Sequence, residues 1–450
     1  MRNHTIQRNM TEGRLLPQLA AFTLPFIVAN LLQTMYTIAD LAIVGRFAGT
    51  EALAAVSISG QVTILFTLVG NAIANGGQIY TAQLLGQNRQ RDMNAAIGTF
   101  FSFVALAAVV VAVFGMTLAR PVLGRLNTPA EAFSPAVQYL TVCAGGMLFV
   151  FGYNAVCAIL RGLGDSTSPT VFMAISAVVN ILLDLLLVAV LHMGAFGAAI
   201  ATAASQLLAM VLAVSHLYRH RAEACFDFAP RSFRMNRHDL IVTVQLALPL
   251  VCMQLAINVS MLYVSSYINS FGVAAASVSG IGNKMYSVVN IVSSASLAAM
   301  ATVVGQNIGA GKPERVQRAL GLSIAINLAF FALVAAVCLI APRFVFGVFT
   351  DAEEVLAMAP RYLRISVWAY LAFALMQPLN GVILGVGYTR LSMAIGILDG
   401  VIARIGLSLL LGHFMGVWGY FWGYSLAGFV TVILAGAYFL SGRWKRRKLL

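Results

Sequence analysis

Two of the fifteen acidic residues, Asp40 and Asp184, sit deep in long apolar stretches, each with polar neighbours at helical spacing. A carboxylate in a bilayer core costs roughly 2.5–3.5 kcal/mol on insertion scales, so its retention asks for a function. Asn180 and Asp184 are four residues apart, as are Tyr36 and Asp40, so each pair shares one face of a helix. Gln33 extends the Tyr36 stripe, and Thr202, one segment later, is expected near the same depth. Two carboxyls facing one dry pocket disfavour shared ionisation, so the pair can take up and release a proton. The same oxygens, joined by amide and hydroxyl groups, also suit a small hard cation such as Na⁺. The competing structural reading is that each Asp only bonds a neighbouring helix.

These residues need elements that cross a membrane. The chain is 60% apolar and 10% charged, against roughly 25% charged in soluble domains. A bilayer core of about 30 Å is crossed by some 20 apolar residues per helix, and no strand-period alternation suggests a barrel. The expected fold is an all-α polytopic membrane protein. Twelve helices are predicted at about 16–44, 54–82, 94–118, 136–160, 169–191, 195–217, 240–265, 277–304, 317–341, 362–385, 391–412 and 415–440. Within these limits only Asp40, Asp184 and Asp399 are intrahelical acids. Of 28 Lys and Arg, 20 fall at the termini and in alternate loops, six in the opposite loops, and Lys284 and Arg404 in helices. The positive-inside rule then puts both termini in the cytoplasm of a multi-pass inner or plasma membrane protein. The net charge of +13 is read as topology and lipid anchoring, not nucleic-acid binding, with the tail "GRWKRRKLL" beside lipid headgroups. The N-terminal apolar segment is too long for a signal core and is expected to be retained. The five cysteines lack metal or redox spacing and are expected to be small apolar packers.

The second half repeats the first at an offset near 223. "FTLPF" with Pro25 matches "LALPL" with Pro249, "LLGQN" matches "VVGQN", and Gly162 and Gly164 match Gly385 and Gly387. Duplicated six-helix units suggest a parallel-repeat transporter, divided into 1–217, a cytoplasmic linker 218–239, and 240–450. In "RGLGDSTSP", Gly162 and Gly164 are expected to take left-handed geometry, with Ser168 and Pro169 as N-cap and first residue of the next helix. The acidic cluster is not duplicated, since Ala403 and Leu407 stand opposite Asn180 and Asp184. Asp399 and Arg404, five apart, should not share a helix face, so Asp399 is expected to meet Lys284 in a structural salt bridge. Metalloprotease and nucleophile-elbow motifs are absent, and "GQNIGAGKPE" lacks the spacing of a phosphate loop, so no enzyme is expected.

Taken together, the two six-helix repeats, the "RGLGDSTSP" turn, the paired "LP" motifs and the "GQN" triplets resemble the multidrug and toxic compound extrusion (MATE) transporters. Asp40, Asn180, Asp184 and Thr202 look like the DinF-like prokaryotic branch, and Tyr36 and Tyr139 match aromatic positions near its acidic cluster. The resemblance implies a V-shaped pair of lobes, alternating access, and efflux of amphipathic, often cationic compounds in exchange for H⁺ or Na⁺. Gln254 in helix seven and Asp399 in helix eleven do not fit the NorM-like branch. Expected cargo-lining residues are Gln33, Asn154, Met173, Gln206 and Met210, with Pro25 as a helix hinge. No cofactor beyond the coupling ion is expected, and the chain should work as a monomer with membrane lipids and small amphipaths as partners. The alternative is a flippase for a lipid-linked saccharide, which would be expected to line its cavity with several Arg or Lys.

Overall fold

Apolar runs of this length have no way to satisfy their backbone in lipid except as helices. A computed structural model describes residues 6–126 and 128–446. Among the described residues twelve helices are long and apolar enough to cross a membrane. They are α1 (Leu15–Phe47), α2 (Gly49–Gly86), α3 (Gln90–Arg125), α4 (Ala130–Gly162), α5 (Thr167–Val190) and α6 (Gly194–Arg219). The second set is α7 (Arg237–Asn269), α8 (Val273–Gly309), α9 (Pro313–Ile340), α10 (Glu353–Gly385), α11 (Thr389–Met415) and α12 (Val417–Leu440). No strand occurs among the described residues.

All twelve predicted helices are present, and nearly every one extends beyond its predicted limits. The extra turns carry acids that the sequence assigned to loops: Glu51, Asp92, Glu131, Asp239, Glu314, Glu353 and Glu354 all lie in first turns. A carboxylate there meets unbonded N–H groups and the positive end of the helix dipole, which favours continuing the helix past the apolar run.

The chain gathers into two compact units. One comprises Met1–Asn9 and Leu24–Leu248, the other Met10–Thr23 and Pro249–Leu450. Both mid-helix changes of unit fall at the Leu-Pro pairs, beside Pro25 in α1 and Pro249 in α7. Proline removes a backbone donor and clashes one turn back, which loosens the helix where it leaves one packing environment for another. In the first unit α4 packs against α2, α3 and α6. Its core is built of small and medium residues such as Ala55, Ala136, Cys143, Ala198 and Ala199. In the second unit α8 and α10 occupy that central place, with α9 and α12 against α10.

The repeated turn works differently from its sequence expectation. Only its second glycine is left-handed, at φ 97° for Gly164 and 74° for Gly387. Gly162 and Gly385 remain helical, and their role is close approach. A Cβ at Gly162 would meet the Gln78 carbonyl and Thr81 at 2.8 Å, and one at Gly385 would press on Val304 and the Ala301 carbonyl. Ser168 is not the cap of α5 either. Asp165 Oδ1 accepts from the Thr167 and Ser168 amides at 2.9 and 3.1 Å, while Ser168 Oγ donates to its other oxygen at 2.5 Å. A carboxylate outcompetes a hydroxyl at a helix start because it also meets the dipole.

Residues before α1 are tied down on both sides of the unit boundary. The Arg8 amide donates to the Leu163 carbonyl at 2.9 Å, and the Ile6 amide to Glu223 at 2.7 Å. The Met10 amide then donates to Gln306 at 3.0 Å, and Asn307 Nδ2 to the Met10 carbonyl at 3.1 Å. This gives the second "GQN" triplet its role. At the far end Trp444 is fully enclosed and stacks on Phe439. The last four residues of the basic tail lie outside the described residues.

Gly419 of α12 offers a test of this packing, because a Cβ there would enter the Leu411 carbonyl of α11. Gly419→Ala should destabilise the purified protein by roughly 1–3 kcal/mol, as overpacking does, and lower its melting temperature in detergent. Gly436→Ala on the same helix has nothing within 4 Å of the new carbon and should melt like wild type.

Candidate functional site

The candidate site is assembled in the first unit from α1, α4 and α5. Pro25 and Thr170 hold α1 to α5, the Thr170 hydroxyl donating to the Pro25 carbonyl at 2.7 Å. Further along α1, Asp40 is 7% exposed, and Asp184 on α5 is fully buried. Their carboxyls come within hydrogen-bonding reach of each other. An ionised carboxylate only accepts, so a bond between the two requires that one carry a proton. Among the described residues no basic side chain stands beside either acid. The pair therefore lacks the compensation a buried charge ordinarily needs, and a proton or a bound cation has to supply it.

The surroundings are polar but uncharged. Tyr36 lies one turn before Asp40 and faces it, with Gln33 in reach of the Tyr36 hydroxyl. From α4, Tyr139 and Cys143, one turn apart, both face Asp40. Asn180 is 2% exposed, and neither of its amide atoms has a hydrogen-bond partner among the described residues. It supplies an oxygen and two N–H donors one turn from Asp184. On α6, Ser205 accepts at its carbonyl from Ser176 Oγ at 2.8 Å, a buried bond that sets the register of α5 against α6. Three residues back from Ser205 and three on from Ser176, Thr202 comes level with Val179, beside Asn180.

The structure thus brings together Tyr36, Asp40, Tyr139 and Asp184, with Asn180 and Thr202 at adjoining levels. Of the cargo-lining candidates, Gln33 stands beside Tyr36. Met173 is buried, and Asn154 and Gln206 are half-buried. Met210 is half-buried and packs where Gly152 of α4 leaves room for it. Cys143 is a neighbour of the pair that sequence reasoning did not place, although it also packs in the apolar core as expected. Its signal was the i, i+4 spacing to Tyr139. The packing expectation fails for Cys252, which is exposed on α7.

The second unit corrects two further expectations. Lys284 is exposed on α8 and does not meet Asp399. Asp399 instead accepts from Thr431 Oγ1 of α12 at 2.7 Å. Its neighbouring charge is Arg404, whose guanidinium lies over the Tyr424 ring at 4.9 Å from the centroid. Residues five apart on an α-helix diverge, but Leu398–Ala403 forms a π-turn. Its wider i→i+5 bonding stacks Asp399 and Arg404 on one face. A second π-turn, Leu185–Val190, follows Asp184 directly.

Comparison with known proteins bears on this arrangement. The MatE family model matches twice, over residues 25–186 and 249–410, which together exceed half the chain. The chain belongs to the MatE family. The two MatE matches start at Pro25 and Pro249, so the repeat begins at the Leu-Pro pairs. Among relatives, "Probable multidrug resistance protein YoeA" of Bacillus subtilis is 26% identical over 96% of this chain and 94% of its own length. An "FAD transporter" of Shewanella oneidensis is 28% identical over 69% of both chains. A crystal structure of MATE in a bent conformation superposes with a TM-score of 0.89 at 20% identity, covering 98% of this chain and 97% of that one. The MatE fold is therefore shared at a distance where few side chains are.

Separate roles for the buried acids Asp40 and Asp184 of the first unit and Asp399 of the second in this MatE chain can be checked by isosteric replacement. Asp40→Asn and Asp184→Asn should each cut coupled transport at least tenfold with expression and melting temperature preserved. Asp399→Asn keeps an acceptor for Thr431 and should retain more than half of wild-type transport. Greater loss in Asp399→Asn than in Asp184→Asn, measured in the same vesicles, would place the essential acid in the wrong unit.

Proposed function

We propose that this chain is a secondary antiporter that exports amphipathic, often cationic compounds in exchange for protons, by alternating access in a cell membrane. The observation that carries the reading is the Asp40–Asp184 pair, buried, in mutual reach and without a basic partner. The relative described as a probable multidrug resistance protein supports the cargo class, and the acidic cluster in the first repeat supports assignment to the DinF-like branch. Oxygens of Asp40, Asp184, Asn180 and Thr202 are also the donor types of a Na⁺ site, which makes Na⁺ the alternative coupling ion. Arg404 is held over Tyr424 and beside Asp399, an arrangement that does not favour a pyrophosphate cradle and so speaks against the lipid-linked saccharide reading.

Coupling follows from charge in a dry site. With one proton the pair keeps a negative charge that attracts cationic cargo. A second proton removes that charge and frees each carboxyl to donate. Because Pro25 makes α1 bendable and α1 is the least enclosed helix of its unit, the outer part of α1 then shifts towards α5 and α6. A ligand biases such an equilibrium only through its difference in affinity for the two states, so proton and cargo compete.

Two measurements test this. Vesicles energised only by a proton gradient should move ethidium against its concentration, and transport should stop when the gradient is collapsed. Efflux that continues after both proton and Na⁺ gradients are abolished rules the antiporter reading out. In purified protein, ethidium affinity should weaken as pH falls from 8 to 5, because the added proton removes the attracting charge. The doubly substituted Asp40→Asn/Asp184→Asn protein should show a flat profile over that range.

A further inference from the structure

Lys284 has no part in the acidic pair, and the salt bridge that would have explained it is absent. It lies eleven residues into α8, whose first residue is Val273. At 1.5 Å per residue this is about 16 Å along the axis, farther than a lysine stem reaches by snorkelling. Among the described residues it makes no ion pair, yet it is exposed.

The face that carries it is equally unusual. Gly280, Asn283, Lys284, Ser287 and Asn290 are all exposed and, apart from the adjacent Asn283 and Lys284, lie three or four residues apart, so they form one stripe along α8 that also includes the exposed Val288. The exposed faces of α3 and α5 are apolar by contrast. On α3 they are Leu106, Val109, Val110, Val113 and Phe114, and on α5 Val171, Ile175, Val178 and Leu182. Those faces suit lipid. A stripe of amide, hydroxyl and ammonium groups does not, because lipid offers such groups no partner. The Lys284 face of α8 is therefore turned to water.

The repeat shows that the charge is an addition to this copy. Aligning the triplets that end at Asn88 and Asn307 sets α2 against α8 at an offset of 219. Asn71 of α2 then stands for Asn290, but Leu65 stands for Lys284, Ile64 for Asn283 and Leu68 for Ser287. Gln61 stands for Gly280, so the second unit is the more polar one only around Lys284, at positions 283, 284 and 287.

We propose that Lys284, flanked by Asn283, Ser287 and Asn290, is the oxyanion-recognising contact of a water-facing cargo surface on α8. This deepens the reading of the chain as an exporter of amphipaths and rests on it: the accepted cargo includes amphipaths that bear a carboxylate or phosphate group. The ammonium supplies the charge and up to three donors, and the Asn283 and Asn290 amides beside it donate to the remaining lone pairs, while the Ser287 hydroxyl donates to the Asn283 carbonyl at 2.9 Å.

The test uses two dyes that differ only in that group, rhodamine 110 with a free carboxylate and rhodamine 123, its methyl ester. Binding to the full-length protein is read by fluorescence polarisation in phosphatidylcholine nanodiscs at fixed pH without a gradient. A failure of proton coupling therefore leaves this result standing. Lys284→Met should weaken rhodamine 110 about tenfold and change rhodamine 123 less than twofold, whereas Lys284→Arg should keep the wild-type preference. Equal effects on the two dyes, no effect on either, or no binding of either dye by wild type overturns the proposal. Nanodiscs containing phosphatidylglycerol form the second arm. Rhodamine 110 binding should persist there, and its loss would assign the surface to lipid headgroups and overturn the cargo assignment.

Discussion

Everything in the first unit is arranged around two carboxyl groups that share an apolar interior without a cation. Asp40 and Asp184 come from helices separated by most of that unit, so they meet only if α1, α4 and α5 keep their register. The Thr170 bond to the Pro25 carbonyl fixes α1 against α5, and the Ser176 bond to the Ser205 carbonyl fixes α5 against α6. Both bonds run from a side-chain hydroxyl on α5 to a backbone carbonyl of the neighbouring helix. The helices are thereby held at the depth where the pair needs a proton or an ion.

The two repeats have been specialised in opposite senses. Where the first holds acids, the second holds Ala403 and Leu407, and where the second holds Lys284, the first holds Leu65. Even the buried Asp399 of the second unit differs from its first-unit counterparts, because Thr431 donates to it and Arg404 stands beside it. Shared backbone architecture thus carries an acidic pair without a cation in one unit and an acid with a hydroxyl donor and a guanidinium beside it in the other.

The sequence revealed the architecture and the acidic pair because both depend on rules that hold for any neighbour. Apolar length decides that a helix spans, and a carboxylate in such a helix is conspicuous whatever surrounds it. What stayed hidden depended on local departures from regularity. The π-turn at Leu398–Ala403 reverses the facing of Asp399 and Arg404, and no residue pattern announces it. Asp165 displaced Ser168 as the cap of α5, a choice between two plausible caps that only the turn geometry decides. Cys143 and Lys284 were read through the habits of their residue types, although the polar neighbours that qualify those habits, Tyr139 on α4 and Asn283, Ser287 and Asn290 on α8, share their own helices.

The division of α1 at its Leu-Pro pair also has a consequence for biogenesis. Met10, Leu15, Leu19 and Phe22 pack with Met300, Val304, Leu320 and Val382 in one apolar core. The start of α1 thus waits for partners that leave the ribosome almost three hundred residues later. At elongation rates of roughly 5–20 residues per second that delay is on the order of tens of seconds. During it, this stretch of the nascent chain is inserted but unpartnered. The proline at the division lets Asp40 and the rest of α1 settle into the first unit while the helix start remains free to find its core.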